Sequence, residues 1–212
     1  MTAKHNETYD AQLTVEYPDR DMNRLSTALR LLYLIPIGIV LALLDGSSFD
    51  TGFAENGFQF GATGTGLLWA PVLLMIVFRQ KYPRWWFDFN LHLARFSTRV
   101  LSYLALMSDV YPSTDEEQTV RLDLDYPNVK QDLNRWLPLV KWLLAFPHYI
   151  VLFFLCIAAV VAVIVAWFAV LFTGRYPRAI FDFVEGVLRW GLRVEAYAVL
   201  LITDRYPPFS LQ

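Results

Sequence analysis

Long apolar runs dominate the pattern of the chain. The runs at 31–44 and 67–78 are interrupted only by Gly and Pro, and a third run, 142–172, contains no Asp, Glu, Lys or Arg. A helix that crosses a bilayer needs about 20 apolar residues, and the core of a soluble domain does not need a run as long as the third. The pattern therefore predicts an integral membrane protein that is mainly α-helical.

Short segments of alternating apolar and polar residues precede the first and third runs. In VRLDLDYP, which begins at Val120, apolar residues alternate with Arg and Asp, and AQLTVEYP, which begins at Ala11, follows a similar pattern. Alternation with a period of two predicts a half-buried β-strand. Because an isolated strand is not stable in water, we expect the two strands to pair with each other.

One motif occurs twice. The stretch KYPRWWFDF, which begins at Lys81, returns as RYPRAIFDF from Arg175, and 11 of the 25 positions are identical between 82–106 and 176–200. This self-similarity predicts two pseudo-symmetric repeats, at 1–112 and 113–212. Proline disfavours helix at the residue before it, so each motif predicts a turn followed by the start of a helix. The motif residues are Tyr82, Pro83, Asp88, Tyr176, Pro177 and Asp182.

Each repeat is predicted to contain a short strand, a membrane hairpin and an amphipathic helix at the membrane interface. In the first repeat the membrane segments are about 25–44 and 65–79, and the interfacial helix is about 86–107. Basic residues flank this hairpin, whereas 45–66 carries three acidic residues and no basic one. Basic flanks stay in the cytoplasm. We therefore expect a multi-pass protein of the inner (plasma) membrane with a cytoplasmic N-terminus.

The second repeat leaves two arrangements open. Its membrane segments are expected within 136–173 and its interfacial helix at about 180–203. Basic residues on both sides of the run favour a hairpin with a turn near 155–158, although no Gly or Pro marks that turn. One continuous helix over 136–172 would measure about 55 Å, which exceeds a span of roughly 30 Å. The alternative is an interfacial helix up to Pro147 followed by one long membrane span, which would invert the second half.

Composition and charge narrow the classes of function. The chain is 56% hydrophobic, its net charge is −2, and Cys156 is its one cysteine. An intramolecular disulfide is excluded, and a cysteine-based metal site is not expected. The net charge argues against nucleic acid as a partner. The polar first 20 residues lack the layout of a cleaved signal peptide, so we expect the first membrane segment to stay in the mature protein.

Each predicted interfacial helix carries a polar stripe. Asp182, Glu185, Arg189 and Arg193 are spaced to share one helix face, and the first copy has a matching stripe. The structural interpretation is that these arginines pair with acidic residues, Arg84 and Arg95 with Asp88 and Asp109, and Arg178 and Arg189 with Asp182 and Asp204. The alternative is contact with anionic lipid or a partner protein. The candidate residues are Arg84, Arg95, Arg99, Arg178, Arg189 and Arg193.

No pattern of residues predicts catalysis. The chain has no nucleophile elbow and no glycine loop that could cradle phosphate. His92 has no histidine or cysteine partner at metal-ligand spacing. His148 stands inside the longest apolar run, where we expect a neutral imidazole bonded to a backbone carbonyl. No catalytic, cofactor-binding or metal-binding residue is predicted, and we do not expect an enzyme.

The second half of the chain resembles a known family. The stretch RYPRAIFDFVEGVLRWGLRVEAYAVLLITDRYPPFSL, with LVKWLLAFPHYIVLFF before it, is similar to a bacterial family of small membrane proteins called domain of unknown function number 4389. The first copy departs from this pattern at Trp85–Trp86 and in the segment 45–66. The resemblance implies a membrane location and no established activity.

These patterns favour a non-enzymatic role. We expect an accessory or scaffold subunit of a larger membrane complex, or a protein that organises lipid at the cytoplasmic face. The expected partners are membrane lipids, including anionic ones, and other membrane subunits or further copies of the chain. A small transporter or channel is the alternative, since internal repeats often frame a site at the bilayer midplane.

Overall fold

A computed structural model describes residues 9–18, 22–44, 70–113 and 118–212. The predictions for 1–8 and 45–69, including the acidic segment and the start of the second membrane segment, lie outside the described residues. The elements are β1 (Ala11–Val15), α1 (Arg24–Leu44), α2 (Ala70–Arg79), α3 (Arg84–Leu104), β2 (Val120–Leu124), α4 (Val129–Asp132), α5 (Pro138–Leu144), α6 (Phe146–Thr173) and α7 (Arg178–Ala198).

The two predicted strands form one antiparallel sheet. Ala11 lies opposite Leu124, and Val15 lies opposite Val120. In both strands buried and exposed residues alternate strictly, because successive side chains point to opposite faces of a sheet. The prediction that the strands pair with each other is confirmed.

Helices α3 and α7 form the layer beneath this sheet. Each begins directly after a proline, Pro83 or Pro177, whose backbone is extended and whose ring fixes φ at −63°. Helix α7 packs against β1 and α3 against β2. Arg95 on α3 donates to the Leu122 carbonyl at 2.8 Å, and Arg189 on α7 donates to the Leu13 carbonyl at 3.1 Å. The polar stripes predicted from the sequence therefore face the strands.

The remaining long helices form a third layer on the apolar side of α3 and α7. Helix α1 runs antiparallel to α3, since Arg30 near its start bonds to Tyr103 and Ile37 packs against Phe96 and Val100. Helix α6 runs antiparallel to α7 in the same way. His148 in its first turn contacts Trp190, and its last residue lies a short turn before α7 begins.

The prediction of an integral membrane fold with two repeats, each containing a membrane hairpin, is wrong. Among the described residues, one helix is long and apolar enough to cross a membrane, α6. Helix α6 is continuous over 28 residues, so the hairpin expected within 136–173 does not form. No Gly or Pro interrupts the helix after Pro147. The described part of helix α2 comprises ten residues, about 15 Å, which is less than the length of a span.

Candidate functional site

A reversal of the chain after α3 brings a carboxylate to a buried arginine on α1. Leu106 adopts a left-handed conformation with φ of 64°, which turns the chain back without a glycine. The following residues then face α1, where Arg30 donates to the carbonyls of Tyr103 at 2.8 Å and Ser108 at 3.0 Å. Arg30 also forms an ion pair with Asp109.

Arg30 is buried, with 2% of its surface exposed, but one of its nitrogens has no partner. The Nε atom is inaccessible to solvent and makes no hydrogen bond. A buried donor without an acceptor is unfavourable by roughly 1–3 kcal/mol. The neighbouring Thr27 is fully buried, and its carbonyl accepts a hydrogen bond of 3.1 Å from the indole of Trp167 on α6.

These two residues form the polar end of an apolar groove. The groove has a volume of about 560 Å³ and lies between α6, α7 and the end of α3. Thr27 and Arg30 are its polar lining residues, and Cys156 faces it from α6. The other walls are apolar and include Leu101, Leu104, Ala159, Val163, Val184 and Leu188. A cavity of this size and lining is typical of a site for a small apolar molecule.

A second buried ion pair closes the opposite end of α7. Leu201 has φ of 56°, and the chain after it places Thr203 and Asp204 against α5. Lys141 is fully buried, and its Nζ lies 2.6 Å from the Thr203 carbonyl and 2.7 Å from the Asp204 carboxylate. Burial lowers the pKa of Lys141, and Asp204 partly opposes that effect. This pair fixes α5 to the segment that follows α7.

His148 lies in a cluster of aromatic rings. Its Nδ1 accepts a hydrogen bond of 3.1 Å from the Trp190 indole, and its ring stacks on Phe209 at 4.0 Å. The expectation that it bonds a backbone carbonyl is therefore wrong, because Trp190 supplies the hydrogen. The Nε2 atom is buried without a hydrogen-bond partner, and Tyr206 lies 4.8 Å away, centroid to centroid.

The six candidate arginines do not share one pocket. Arg95 and Arg189 bond to the strands, while Arg99 donates to Ser113 and Arg193 to Ser210 at 3.5 Å. Arg84 and Arg178 are exposed at the starts of α3 and α7. Arg84 lies over the ring of Tyr126 at 5.0 Å, and Arg178 lies over that of Tyr17 at 4.7 Å.

Only one of the expected pairings of these arginines occurs among the described contacts. Arg178 and Asp182 are 3.9 Å apart and both exposed. Arg95 pairs with Asp123 at 2.8 Å, and Arg189 pairs with Glu185 at 2.6 Å. The expected partners Asp109 and Asp204 are instead bound by Arg30 and Lys141.

The tyrosines of the repeated motif are structural. Tyr82 is buried and donates to the Leu200 carbonyl at 2.9 Å. Tyr176 is also buried, and its carbonyl accepts a hydrogen bond from Tyr17. Burial raises the pKa of both phenols. Asp88 and Asp182 lie in the second turn of α3 and α7, outside the groove lining.

The sequence patterns did not single out Arg30 and Lys141, which are among the basic residues in or beside the predicted membrane segments. The available signal was that each stands in or beside an apolar run, where a charge must be paired. Within the described ranges, no group of three or more His, Cys, Asp or Glu side chains could hold a metal ion.

Comparison with known families gives one match. Residues 136–210 match the model of the Domain of unknown function (DUF4389), which confirms the resemblance to that family; the match does not show a bacterial origin or a membrane location. This stretch comprises α5, α6, α7 and the segment after α7, so it contains the Lys141–Asp204 pair and the His148 cluster. The chain has no significant similarity to any curated protein or to any solved structure.

Proposed function

We propose that this protein is a non-enzymatic, lipid-organising protein that lies on a membrane surface with α6 immersed in the lipid. The observation that carries the proposal is the exposure of α6. Its most apolar 18 residues have a mean hydropathy of 3.1, and only 6% of that window is buried inside the protein. A core helix of a soluble protein with this composition would be mostly buried.

The exposed face of α6 is large and aromatic. Phe153 and Phe154 are each more than 60% exposed, and Phe172 is 77% exposed. Exposed apolar patches larger than a few hundred Å² are rare in soluble monomers and mark contact with protein or membrane. The neighbouring helix α5 extends the patch, since Trp142 and Leu143 are also more than half exposed.

The packing of α6 argues for a helix that lies along the membrane rather than across it. Both of its ends meet α7, whose polar stripe contacts the sheet. The outer face of the sheet carries Arg121 and Asp123, whose side chains are 72% and 76% exposed. A spanning α6 would carry α7 and these charges into the hydrocarbon, where each charge costs at least about 2.5 kcal/mol.

The charges beside α6 favour the cytoplasmic leaflet of the inner membrane. Lys130 and Arg135 precede the helix, and Arg175 and Arg178 follow it. With both ends on one side, these residues reach the same headgroup layer, where anionic lipids attract basic side chains. Of the six candidate arginines, Arg84 and Arg178 are exposed and are therefore accessible to headgroups. The roles of accessory subunit and transporter have no comparable support, since the transporter hypothesis depended on two membrane repeats.

Liposome flotation tests the immersion of α6. The wild-type protein is expected to float with vesicles of phosphatidylethanolamine and phosphatidylglycerol. Phe154→Asp is expected to reduce membrane partitioning about a hundredfold, because it places a charge in hydrocarbon. Thr14→Asp adds the same charge to the exposed face of β1 and serves as the control. Equal flotation of both variants would contradict the proposal.

Thiol labelling tests the orientation of α6. In a Cys156→Ala background, single cysteines replace Gln131 and Thr173, which lie exposed in α4, before the apolar patch begins, and at the end of α6. A membrane-impermeant maleimide is expected to label both from the cytoplasmic side of inverted vesicles. Labelling of only one of them from each side would indicate a spanning helix.

A further inference from the structure

We propose that the groove between α3, α6 and α7 holds one acyl chain of a membrane phospholipid, with the ester carbonyl of that chain bonded to Arg30 Nε. This inference rests on the proposed function, because it requires the groove to open onto lipid. The exposed apolar face of α6 would bind any lipid. The groove would instead bind one class of ligand, a phospholipid acyl chain, through one specific hydrogen bond.

The lining of the groove favours an amphiphile with one polar end. Beyond Thr27 and Arg30, its walls come from Leu, Val, Ile, Ala and Trp side chains and from Cys156. The volume of about 560 Å³ is in the range of sites for one small ligand, roughly 300–1,000 Å³. A peptide would bring backbone polar groups into this apolar space, where few partners could satisfy them. A hydrocarbon chain has no such groups.

Arg30 supplies the second observation. Its terminal nitrogens are occupied by Tyr103, Ser108 and Asp109, so the guanidinium is held in place and its charge is neutralised. Only Nε is left as a buried donor without a partner. Because Asp109 neutralises the charge of the guanidinium, we expect Nε to bond an uncharged acceptor. A phospholipid carries such an acceptor, an ester carbonyl, at the head of each acyl chain.

The position of the groove permits entry from lipid. Val160 and Ile164 on α6 form part of its wall and are 61% and 51% exposed. They belong to the same apolar face that we propose to be immersed. A chain can therefore move from the bilayer into the groove while its headgroup stays at the bilayer surface.

A matched pair of variants on α6 tests occupancy. Ala159 lines the groove, whereas its neighbour Ala158 is exposed outside it. Ala159→Phe fills the groove and Ala158→Phe does not. Native mass spectrometry in mild detergent, with palmitoyl-oleoyl-phosphatidylglycerol as the probe, is expected to find one bound lipid on the wild type and on A158F. Binding to A159F is expected to fall at least about tenfold, since excluding even two methylene groups has that effect.

The diether analogue of the same phospholipid tests the hydrogen bond. It lacks the ester carbonyls, and the wild type is expected to bind it about fivefold more weakly. Arg30→Lys keeps the charge but removes Nε, so the two lipids should bind it equally. If R30K does not fold, the comparison of lipid binding by A158F and A159F still tests whether the groove holds the acyl chain. Equal lipid retention by A158F and A159F, or equal binding of ester and ether lipids by the wild type, overturns the inference.

Flotation separates this inference from the proposed function. A159F is expected to float with liposomes as the wild type does, because its change lies in the groove and not on the outer face of α6. If A159F floats and still retains lipid, the acyl-chain site is refuted and the membrane role stands. If the wild type itself does not float, the membrane role fails and the inference fails with it.

Discussion

The imidazole Nδ1 of His148 accepts a hydrogen bond of 3.1 Å from the indole Nε1 of Trp190. Both side chains are buried, at 0% and 5% exposure. The contact joins the first turn of α6 to the middle of α7, and it is the clearest sign that α6 lies along α7. A helix held in this way at its start, and by a short turn at its end, cannot swing away from the protein without breaking buried contacts.

Removal of this hydrogen bond is expected to destabilise the fold. Trp190→Phe leaves the His148 nitrogen without a donor and reduces the packing around it. The free energy of unfolding should fall by about 2–3 kcal/mol, as measured by urea unfolding in mild detergent. Trp142→Phe is the control, since Trp142 is 55% exposed and bonds only within its own helix. An equal loss of unfolding free energy in Trp142→Phe would show that the hydrogen bond between Trp190 and His148 does not stabilise the fold.

The buried ion pair between Lys141 and Asp204 gives a second prediction. Asp204→Asn removes the charge that compensates a fully buried ammonium, and we expect a loss of stability of about 3–5 kcal/mol. Adding Lys141→Met should recover part of that loss, because no unpaired charge then stays buried. Glu16→Gln breaks the exposed pair with Arg121, 3.6 Å apart, and should change stability by less than about 1 kcal/mol. Equal losses of stability in Asp204→Asn and Glu16→Gln would contradict the argument that burial makes the Lys141–Asp204 pair more important than the exposed one.

Two glycines in α7 should respond oppositely to alanine. A Cβ atom at Gly186 would lie 2.8 Å from both the Cβ and the carbonyl oxygen of Leu211, whereas one at Gly191 would meet nothing within 4 Å. Gly186→Ala should therefore displace the segment around Leu211 from the helix. Gly191→Ala should stabilise the helix by about 0.5–1 kcal/mol.

Hydrogen exchange of residues 205–212 and thermal unfolding measure the two effects. Faster exchange in G186A, with a normal pattern in G191A, is the expected result. Unchanged exchange in G186A would mean that the segment is not held against α7 at this point.

Alkaline pH is expected to destabilise the protein. Burial raises the pKa of Tyr82 and Tyr176 above the ordinary value of 10.0. A group whose pKa is higher in the folded state contributes stability that is fully present below pH 10.0 and is lost as the pH rises further. Each tyrosine should lower the free energy of unfolding by up to about 1.4 kcal/mol per pH unit in that range. Lys141, with its lowered pKa, acts in the opposite direction as the pH approaches 10.5.

Urea unfolding between pH 8 and pH 11, followed by tyrosinate absorbance, measures this dependence. Tyr82→Phe should make it less steep, whereas Tyr33→Phe, at an exposed position, should not. A pH dependence that is unchanged in Y82F would exclude Tyr82 as a source of the effect.

Much of the secondary structure could be predicted from the sequence, because its causes are local. The alternation from Val120 to Leu124 predicts a strand, and Pro177 before Arg178 predicts where a helix begins. Whether the chain turns near 155–158 could not be predicted from local sequence. The residues on both sides of this point belong to one apolar run that has no Gly or Pro after Pro147, and only their packing against α7 decides that one helix continues through them.

The pairing of the buried charges could not be predicted. Asp109 and Asp204 follow helices whose stripes carry arginines, so pairing with Arg95 and Arg189 was a natural expectation. The left-handed residues Leu106 and Leu201 turn the chain away from those stripes and toward α1 and α5. No sequence pattern marks a left-handed leucine, since most residues at such positions are glycine or asparagine.

The sequence by itself determined the composition of the helices, the period of the strands and the presence of an apolar run too long for a small core, because these depend on the spacing of residues along the chain. The tertiary structure decided that this run is one helix lying along α7, that Arg30 and Lys141 are buried in ion pairs, and that an apolar groove ends at Thr27 and Arg30. These features arise from contacts between residues about 40 to 80 positions apart, such as Lys141 with Asp204 and Arg30 with Asp109. These contacts form only when the turns between the helices direct the chain so that the distant residues meet.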